Sequence, residues 1–415
     1  MTMDDFTSKL EMIRKDFPIL DQAIGDHPLI YLDNGATTQM PDAVLDTLVA
    51  HYRTANANVH RGIHTLSERS TSSFEKARQT VQRFVNASSS DEIVFTGGTT
   101  DSINMVARGW EERAKPDSII AVTALEHHAN FVPWQQLCRR AHMQFKVIPL
   151  TPGGDIDLDS LNKVLCSHRV ALVAVAHVSN VLGCVSPVRS VANMAHKNGA
   201  RVLVDAAQSI RHEIVDVQEL DCDFLCFSGH KMLGPAGIGV LYGKHEALSR
   251  LSPVRFGGEM VDKVTAAETT FEKLPLRLEA GTPNFSGAIA LASAIDYLTS
   301  IGREGIATYE HELITHAEQR LETIEGLHIL GKPLQRAGCL SFAVDDVHPF
   351  DLATLMDKQG VALRSGNQCA QPLLHEVYGI QHVTRLSPAF YNTIAEIDSC
   401  ITMLERTISL LRAAR

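Results

Sequence analysis

The sequence predicts an α/β fold built on a mostly parallel sheet of seven strands. From Glu92 onward, short apolar runs alternate with segments of helical periodicity, which indicates strand–helix–strand units. The runs are nearly continuous in Val, Ile and Leu, as expected for strands covered by helices on both faces. We therefore expect a doubly covered sheet. Its predicted strands are residues 92–96, 118–123, 145–150, 170–178, 201–206, 223–228 and 237–243.

A second, smaller α+β domain is expected at the C-terminal end. Residues 302–324 and 393–414 have the apolar spacing of amphipathic helices, and a strand–helix–strand pattern lies between them. A short amphipathic helix at the N-terminus is expected to pack nearby. We predict a large domain of residues 22–295 and a small domain formed by residues 1–21 and 296–415.

Composition excludes several classes of protein. The 415 residues carry a net charge of −10 without a basic run, which argues against nucleic acid and anionic membranes as partners. The N-terminus is acidic where a secretory signal is basic, and no 18-residue apolar span occurs, so we expect a cytoplasmic protein. The eight cysteines form no CxxC pair, which argues against a zinc site or a disulfide framework.

Polar residues follow the predicted strands, at the edge of the sheet where α/β proteins bind ligands. After the first strand, Gly97 and Gly98 lead through Thr99 and Thr100 into a helix. Free amide groups and the positive helix end suit a phosphate there, although the same turn is also common as plain backbone geometry. No P-loop or GxGxxG motif is present.

Further candidates follow the next strands. His127 and His128 come after the second, and because neighbours on an extended chain point apart, they suit stacking on a flat ligand better than metal chelation. Asn180 follows the fourth strand, and Asp205 and Gln208 follow the fifth. A carboxylate at a buried strand end must cap a helix or pair with a cation such as a protonated ring nitrogen.

The sixth strand leads into Ser228, His230 and Lys231. A lysine at this point is either an ordinary rim residue or an amine held in a partly desolvated site. A phosphate seat, a stacking histidine, a strand-end aspartate and a lysine are together what pyridoxal 5′-phosphate (PLP) requires, since the aspartate keeps the ring nitrogen protonated and the lysine binds the aldehyde. We therefore predict a PLP site.

Several motifs resemble those of one enzyme family. EHHANFVPW, AHVSNVLG, VDAAQ, FSGHKMLGPAGIGVLYG, EAGTPN and RSGNQCAQPL are similar to motifs of the group II cysteine desulfurases, which include selenocysteine lyases and have the class V aminotransferase fold (PLP-dependent fold type I). The resemblance runs from about Phe17 to the C-terminus. It implies conversion of L-cysteine to L-alanine, a persulfide on Cys369, and sulfur transfer to an acceptor protein for Fe–S cluster or other sulfur-cofactor assembly.

The resemblance also implies roles for individual residues. Lys231 is the Schiff-base lysine, Asp205 pairs with the ring nitrogen, Gln208 donates to the phenolic oxygen and His127 stacks on the ring. The remaining implied contacts are cofactor binding by Thr99, Thr100, Asn180, Ser228 and His230, a phosphate contact by Thr282 to the neighbouring subunit of a homodimer, and substrate binding by Asn180, Arg364, Arg385, His60 and Arg61.

Cys369 lies on a glycine-containing loop, which suits a nucleophile, although one cysteine among eight is more commonly a small buried side chain. Matching the RSGxxC motif favours the catalytic role. Four positions depart from the family pattern: Gln368, Gly35, Ala206 and Arg255. The alternatives are a selenocysteine lyase, a PLP-dependent transaminase or epimerase, or a binding protein that keeps the fold without catalysis.

Overall fold

The predicted seven-stranded sheet is confirmed. In the computed structural model, which describes residues 3–112, 114–167 and 169–414, Gly239–Gly243 runs antiparallel to both of its neighbours and the remaining pairs are parallel. Across the sheet the strands are Ile93–Thr96, Gly239–Gly243, Phe224–Ser228, Arg201–Asp205, Val170–Ala176, Ile119–Thr123 and Gln144–Ile148.

Burial of these strands follows their position in the sheet. The inner strand Phe224–Ser228 is buried along its whole length, because helices cover both faces. The strand Gln144–Ile148 lies at the sheet edge and exposes Gln144, Lys146 and Val147, which explains its mixed composition. The apolar runs therefore identified all seven strands, with bounds that differ by a few residues.

The helices predicted over residues 302–324 and 393–414 occur as Arg303–Leu321 and Ile394–Ala413. Two further long helices, Asp42–Thr54 and Thr65–Phe84, precede the large sheet in the chain. The helix Phe285–Ile301 was not predicted; it is mostly apolar and largely buried, with exposed polar residues only near its C-terminal end, so its amphipathic pattern is weak. The other α-helices are Met3–Lys15, Thr99–Glu111, Val132–Arg140, Leu158–Ser167, Val188–Lys197, Val217–Leu220, His245–Ser249 and Pro349–Asp357.

The smaller C-terminal domain contains a separate antiparallel sheet of four strands. In spatial order they are Leu327–Ile329, Leu340–Val344, Val383–Leu386 and Arg364–Gly366. The strand Val361–Ala362 pairs in parallel with Ile30–Tyr31, near the start of the chain. Short hairpins are formed by Ala23–Ile24 with His27–Pro28 and by Val261–Val264 with Thr269–Phe271.

The N-terminal helix Met3–Lys15 packs against Arg303–Leu321. The ring of Phe6 lies 5.0 Å from that of Tyr309, and Phe6 is completely buried. Residues 1, 2 and 415 of the predicted small domain lie outside the described residues. Within the described ranges, no single helix is long and apolar enough to cross a membrane, while the bent pair Phe285–Ile301 and Arg303–Leu321 passes by length and composition alone.

Candidate active site

A cavity of about 480 Å³ lies at the carboxyl ends of the central strands, facing the four-stranded sheet. It is lined by most of the residues that the sequence singled out. These are Thr99, Thr100, His127, Asn180, Asp205, Gln208, Ser228, His230, Lys231, Arg364, Cys369 and Arg385. His60, Arg61 and Thr282 do not line this cavity.

One end of the cavity is a turn suited to an anion. Thr99 opens a 13-residue helix, and its backbone N–H and its hydroxyl each lie 2.8 Å from Ser228 Oγ. Gly98 precedes it with φ +145°, a conformation that favours glycine. Gly239 packs so closely that a Cβ there would lie 2.4 Å from Gly98 Cα. The candidate phosphate-binding turn therefore depends on two glycines, which allow the strand Gly239–Gly243 to pack closely against the turn at Gly98.

His230 lies beside this turn. Its backbone carbonyl accepts from Thr38 N (2.9 Å), and its Nδ1 lies 3.3 Å from Thr37 Oγ1. Burial, followed by the charge of Lys231, lowers the pKa of His230 to about 4. The imidazole is therefore neutral at pH 7, so it contributes a hydrogen bond rather than a positive charge to the anion site.

Asp205 and Lys231 are an acidic and a basic residue that line the same cavity. Asp205 is 6% exposed, and its Oδ1 accepts from Ala207 N at 2.9 Å. Burial raises the pKa of Asp205, while the amide of Ala207 and the positive charge of Lys231 oppose this. Burial lowers the pKa of Lys231, against the opposing influence of Asp205. Both groups are thus pushed toward their neutral forms, which makes the lysine a better nucleophile.

His127 follows the strand Ile119–Thr123, and a hydrogen bond holds its ring in one orientation. Its Nδ1 accepts from Ala129 N at 3.0 Å, so a neutral ring carries its proton on Nε2. Burial, then the charges of Lys231, His128 and Arg385, lower the pKa of His127 to about 3. A neutral, fixed imidazole is suited to stacking on a flat ring.

Arg385 is 3% exposed and already forms two hydrogen bonds. One terminal nitrogen donates to Asn180 O (2.9 Å) and the other to Asp33 Oδ1 (3.1 Å), whereas Nε has no partner among the described residues. Gly35 packs against the guanidinium, because a Cβ there would lie 3.0 Å from Arg385 Cζ. Arg364 lies 3.7 Å from the same Asp33 and is half-exposed.

Cys369 follows the strand Arg364–Gly366 on an exposed turn. Gln368 and Cys369 both have φ +52°, the left-handed region that residues other than glycine rarely adopt. Asn367 Oδ1 accepts from Cys369 N (3.0 Å), and Asn180 Nδ2 donates to Gln368 O (2.7 Å). The thiol-bearing turn is thus held against the large sheet by a side chain from that sheet.

Gln208 contacts the N-terminal loop, where its Nε2 donates to Gly35 O at 2.8 Å. His60 is instead 2.9 Å from Glu75, and Arg61 is 3.2 Å from Glu259. Thr282 is exposed and lines a separate cleft beside Gly97 and Arg255. The three residues outside the cavity are therefore not brought into the site by this chain alone.

Sequence reasoning missed Asp33, Glu126 and the contacts of His128. Asp33 lies in the turn-rich loop YLDNGATTQMP, which the sequence marked only as a loop. Glu126, next to His127 in the chain, is 2% exposed and accepts from Asn130 Nδ2. A signal existed for Glu126, since a carboxylate just after a buried strand needs a partner if it is buried.

The structure shows the environments of three positions that depart from the family pattern. Ala206 is completely buried, and the Nε2 of Gln368 is buried without a partner among the described residues. Arg255 forms an ion pair with Asp101, in the first turn of the helix that begins at Thr99. Arg255 therefore lies near the phosphate seat, where its charge suits an anion.

The cavity fits PLP in its donor and acceptor groups. Asp205, a buried carboxyl group with one amide donor, suits a protonated ring nitrogen, and the Thr99–Ser228 turn suits a phosphate. Lys231 supplies an amine of lowered pKa for the aldehyde. The unpartnered Nε of Arg385 suits an incoming carboxylate.

Comparison with known proteins points to one family. The model of the aminotransferase class-V family matches residues 30–400. A probable cysteine desulfurase of Halalkalibacterium halodurans is 47% identical over 95% of this chain and 97% of its own length.

Solved structures agree with this similarity. The apo structure of a cysteine desulfurase from Thermococcus onnurineus superimposes with a TM-score of 0.91 at 37% identity, covering 96% of this chain and 98% of that one. The cysteine desulfurase CsdA from Escherichia coli, in an S-sulfonic acid form, superimposes with a TM-score of 0.89 at 37% identity, covering 97% and 98%. The similarity thus extends over nearly the whole length of each protein.

Proposed function

The chain belongs to the aminotransferase class-V family as a PLP-dependent cysteine desulfurase, and we propose that Cys369 is the thiol that receives the sulfur of L-cysteine. The observation that carries this proposal is the shared cavity. Cys369 lines the same space as Lys231, Asp205 and Arg385, so a substrate held there meets an amine, a carboxylate-binding group and a thiol. Bound PLP supplies an electron sink for the substrate α-carbon.

Lys231 is proposed to anchor the cofactor and to take the α-proton of the substrate once its amine is released. Its lowered pKa favours the neutral amine, which is the form that accepts a proton. Asp205 holds the proton on the ring nitrogen, and the neutral ring of His127 packs on the cofactor face. Thr99, Thr100, Ser228 and His230 bind the phosphate, and Gln208 donates to the phenolic oxygen.

Arg385 is proposed to bind the substrate carboxylate, with Asn180 beside it. Its Nε is free of partners among the described residues, whereas its terminal nitrogens bind Asn180 O and Asp33. Arg364 is the more exposed cation at the mouth of the cavity and is proposed to contact the substrate from that side. The thiolate is the form of Cys369 that attacks sulfur.

In the sulfur-transfer step, the Cys369 thiolate attacks the substrate sulfur. A sulfur–sulfur bond forms, the bond between the substrate β-carbon and sulfur breaks, and a proton replaces sulfur on that carbon to give alanine. Cys369 keeps the sulfur as a persulfide, which an acceptor protein then removes. Delivery to Fe–S cluster or other sulfur-cofactor assembly in the cytoplasm is the proposed destination, and neither nucleic acid nor a membrane is proposed as a partner.

We further propose that the active unit is a homodimer. His60, Arg61 and Thr282 lie outside the cavity of their own chain, which supports contribution to the partner's site. Ile63, two residues after Arg61, is 96% exposed, and Phe256, next to Arg255, is 70% exposed. Such apolar side chains favour burial against a second copy. Light scattering on the holoenzyme tests this, and a monomer at working concentration would contradict it.

The domain boundaries remain a proposal. A large domain of residues 22–295 and a small domain of 1–21 and 296–415 are supported by the separate four-stranded sheet and by the packing of Met3–Lys15 on Arg303–Leu321. The break within the chain would fall inside the buried helix Phe285–Ile301, so the two parts share a core. Limited proteolysis that releases a stable C-terminal fragment would support the boundary near residue 295.

The desulfurase assay tests the proposal directly. The holoenzyme is incubated with L-cysteine and a reductant, and alanine and sulfide are measured in parallel. Equal amounts of both are expected, with a mass increase of one sulfur atom on Cys369 when the reductant is omitted. Unchanged turnover in Cys369→Ser would contradict the assignment. Alanine release from selenocysteine that persists in Cys369→Ala while activity on cysteine disappears would favour the selenocysteine lyase.

A further inference from the structure

His128 contacts the Cys369 turn at two points. Its backbone N–H donates to Cys369 O at 2.7 Å, and its Nε2 accepts from Gln371 N at 3.1 Å. The two hydrogen bonds bind the backbone on either side of Ala370. Because Nε2 accepts, the proton of the neutral ring lies on Nδ1. His128 thus spans from the end of the strand Ile119–Thr123 to a turn of the other sheet.

The turn needs such support. Gln368 and Cys369 both have φ +52°, and consecutive left-handed residues other than glycine are unfavourable on their own. Asn180 Nδ2 holds the N-terminal side of the turn through Gln368 O. On the C-terminal side, the bond to Gln371 N is made by the His128 side chain, so it depends on the identity of that residue.

We propose that His128 is a positioning residue for sulfur transfer. Its imidazole fixes the backbone after Cys369 so that the thiol is presented to the cavity, while the adjacent His127 serves the cofactor. His127 lines the cavity, whereas the imidazole of His128 binds Gln371 N, so the two histidines serve two tasks, one for each half of the reaction. This inference rests on the proposed role of Cys369.

The proposal predicts a specific pattern in variants of the holoenzyme. His128→Ala and His128→Phe both remove the acceptor, so the Gln371 amide should exchange its hydrogen about tenfold faster, as expected for the loss of one hydrogen bond. The kcat for persulfide formation should fall by about three- to tenfold, with the KM for cysteine and the cofactor absorption spectrum unchanged. His128→Gln, whose Oε1 can accept from the same amide, should restore both readouts.

Gln135→Ala is the matched control, because this exposed residue borders the same surface groove as His128 and Gln371. It should leave exchange and kcat unchanged. Wild-type exchange at Gln371 in either His128→Ala or His128→Phe would overturn the proposal, as would a His128→Gln variant as slow as His128→Ala. Hydrogen exchange at the Gln371 amide does not depend on whether Cys369 receives sulfur. A failure of the Cys369 assignment would instead appear as wild-type turnover in Cys369→Ser.

Discussion

The strand-end residues and the Cys369 turn differ in how they are held. Asp205 and Ser228 end buried strands, and their positions are set by a sheet packed on both faces. Cys369 lies on an exposed, left-handed turn that reaches the sheet through hydrogen bonds from Asn180 and His128. This suits the two proposed tasks, because cofactor chemistry needs fixed geometry whereas a thiol that carries sulfur must also be reached by an acceptor.

The largest expected effect concerns the residues that follow the buried strands, here called the rigid region. Lys231→Ala removes the amine that binds the cofactor and moves the α-proton, so kcat should fall by at least about 10³-fold. The protein should also lose the cofactor absorbance that borohydride fixes in the wild type. Lys244→Ala, which breaks an ion pair with Asp221, should leave both unchanged. Borohydride labelling at any other lysine would contradict the assignment.

On the exposed side, Cys369→Ala should lower desulfuration of cysteine by at least about 10²-fold, because the nucleophile is lost. In contrast with Lys231→Ala, the cofactor spectrum and its change on adding cysteine should persist. Cys166→Ala is the matched control, since Cys166 is also an exposed free cysteine. Equal loss of cofactor absorbance in Cys369→Ala and Lys231→Ala would contradict the proposal that the two regions have separate roles.

A smaller effect is expected for Asp205→Asn. The amide keeps the shape but loses the charge that holds a proton on the ring nitrogen, so kcat should fall by roughly ten- to a hundredfold, the range for a hydrogen bond to a charged group. Cofactor content, measured by absorbance after gel filtration, should stay near the wild-type value. Asp46→Asn, at an exposed helical position, serves as the control. Wild-type kcat in Asp205→Asn would be inconsistent with the proposed role.

The smallest effect concerns stability. The pKa of His127 is about 3 in the folded protein, below its ordinary value of 6.5. As pH falls from 6.5 toward 3, the unfolded chain binds a proton there and the folded chain does not, so the free energy of unfolding decreases. His127→Phe should flatten this slope in cofactor-free protein, by less than about 1.4 kcal/mol per pH unit.

Urea unfolding at several pH values measures this slope. His27→Phe, at an exposed position, is the control and should keep the wild-type slope. An unaltered slope in His127→Phe would show that protonation of His127 is not coupled to folding.

The sequence predicted the rigid region well for a physical reason. Strands buried on both faces are apolar throughout, and the residues that follow them must lie at one edge of the sheet. The placement of Thr99, Asp205 and Lys231 together could therefore be inferred from local patterns. The helix Phe285–Ile301 escaped prediction because it is mostly apolar and its amphipathic pattern is weak.

The contacts of the exposed region had no comparable signal. Cys369 was identified through the resemblance of its motif, but its partners come from distant parts of the chain. Gln371 and His128 are 243 positions apart, and Arg385 and Asp33 are 352 positions apart. Neither periodicity nor local spacing reports a pair at such separations.

By itself, the sequence determined the seven-stranded sheet, the polar residues at its edge that are proposed to bind PLP, and the cysteine with its family motif. Only the tertiary structure decided that His128 and Asn180 hold the Cys369 turn, that Asp33 binds Arg385, and that His60, Arg61 and Thr282 lie outside the cavity of their own chain. The reason is that strand and helix patterns arise from neighbours along the chain, whereas these contacts arise from how two sheets pack together.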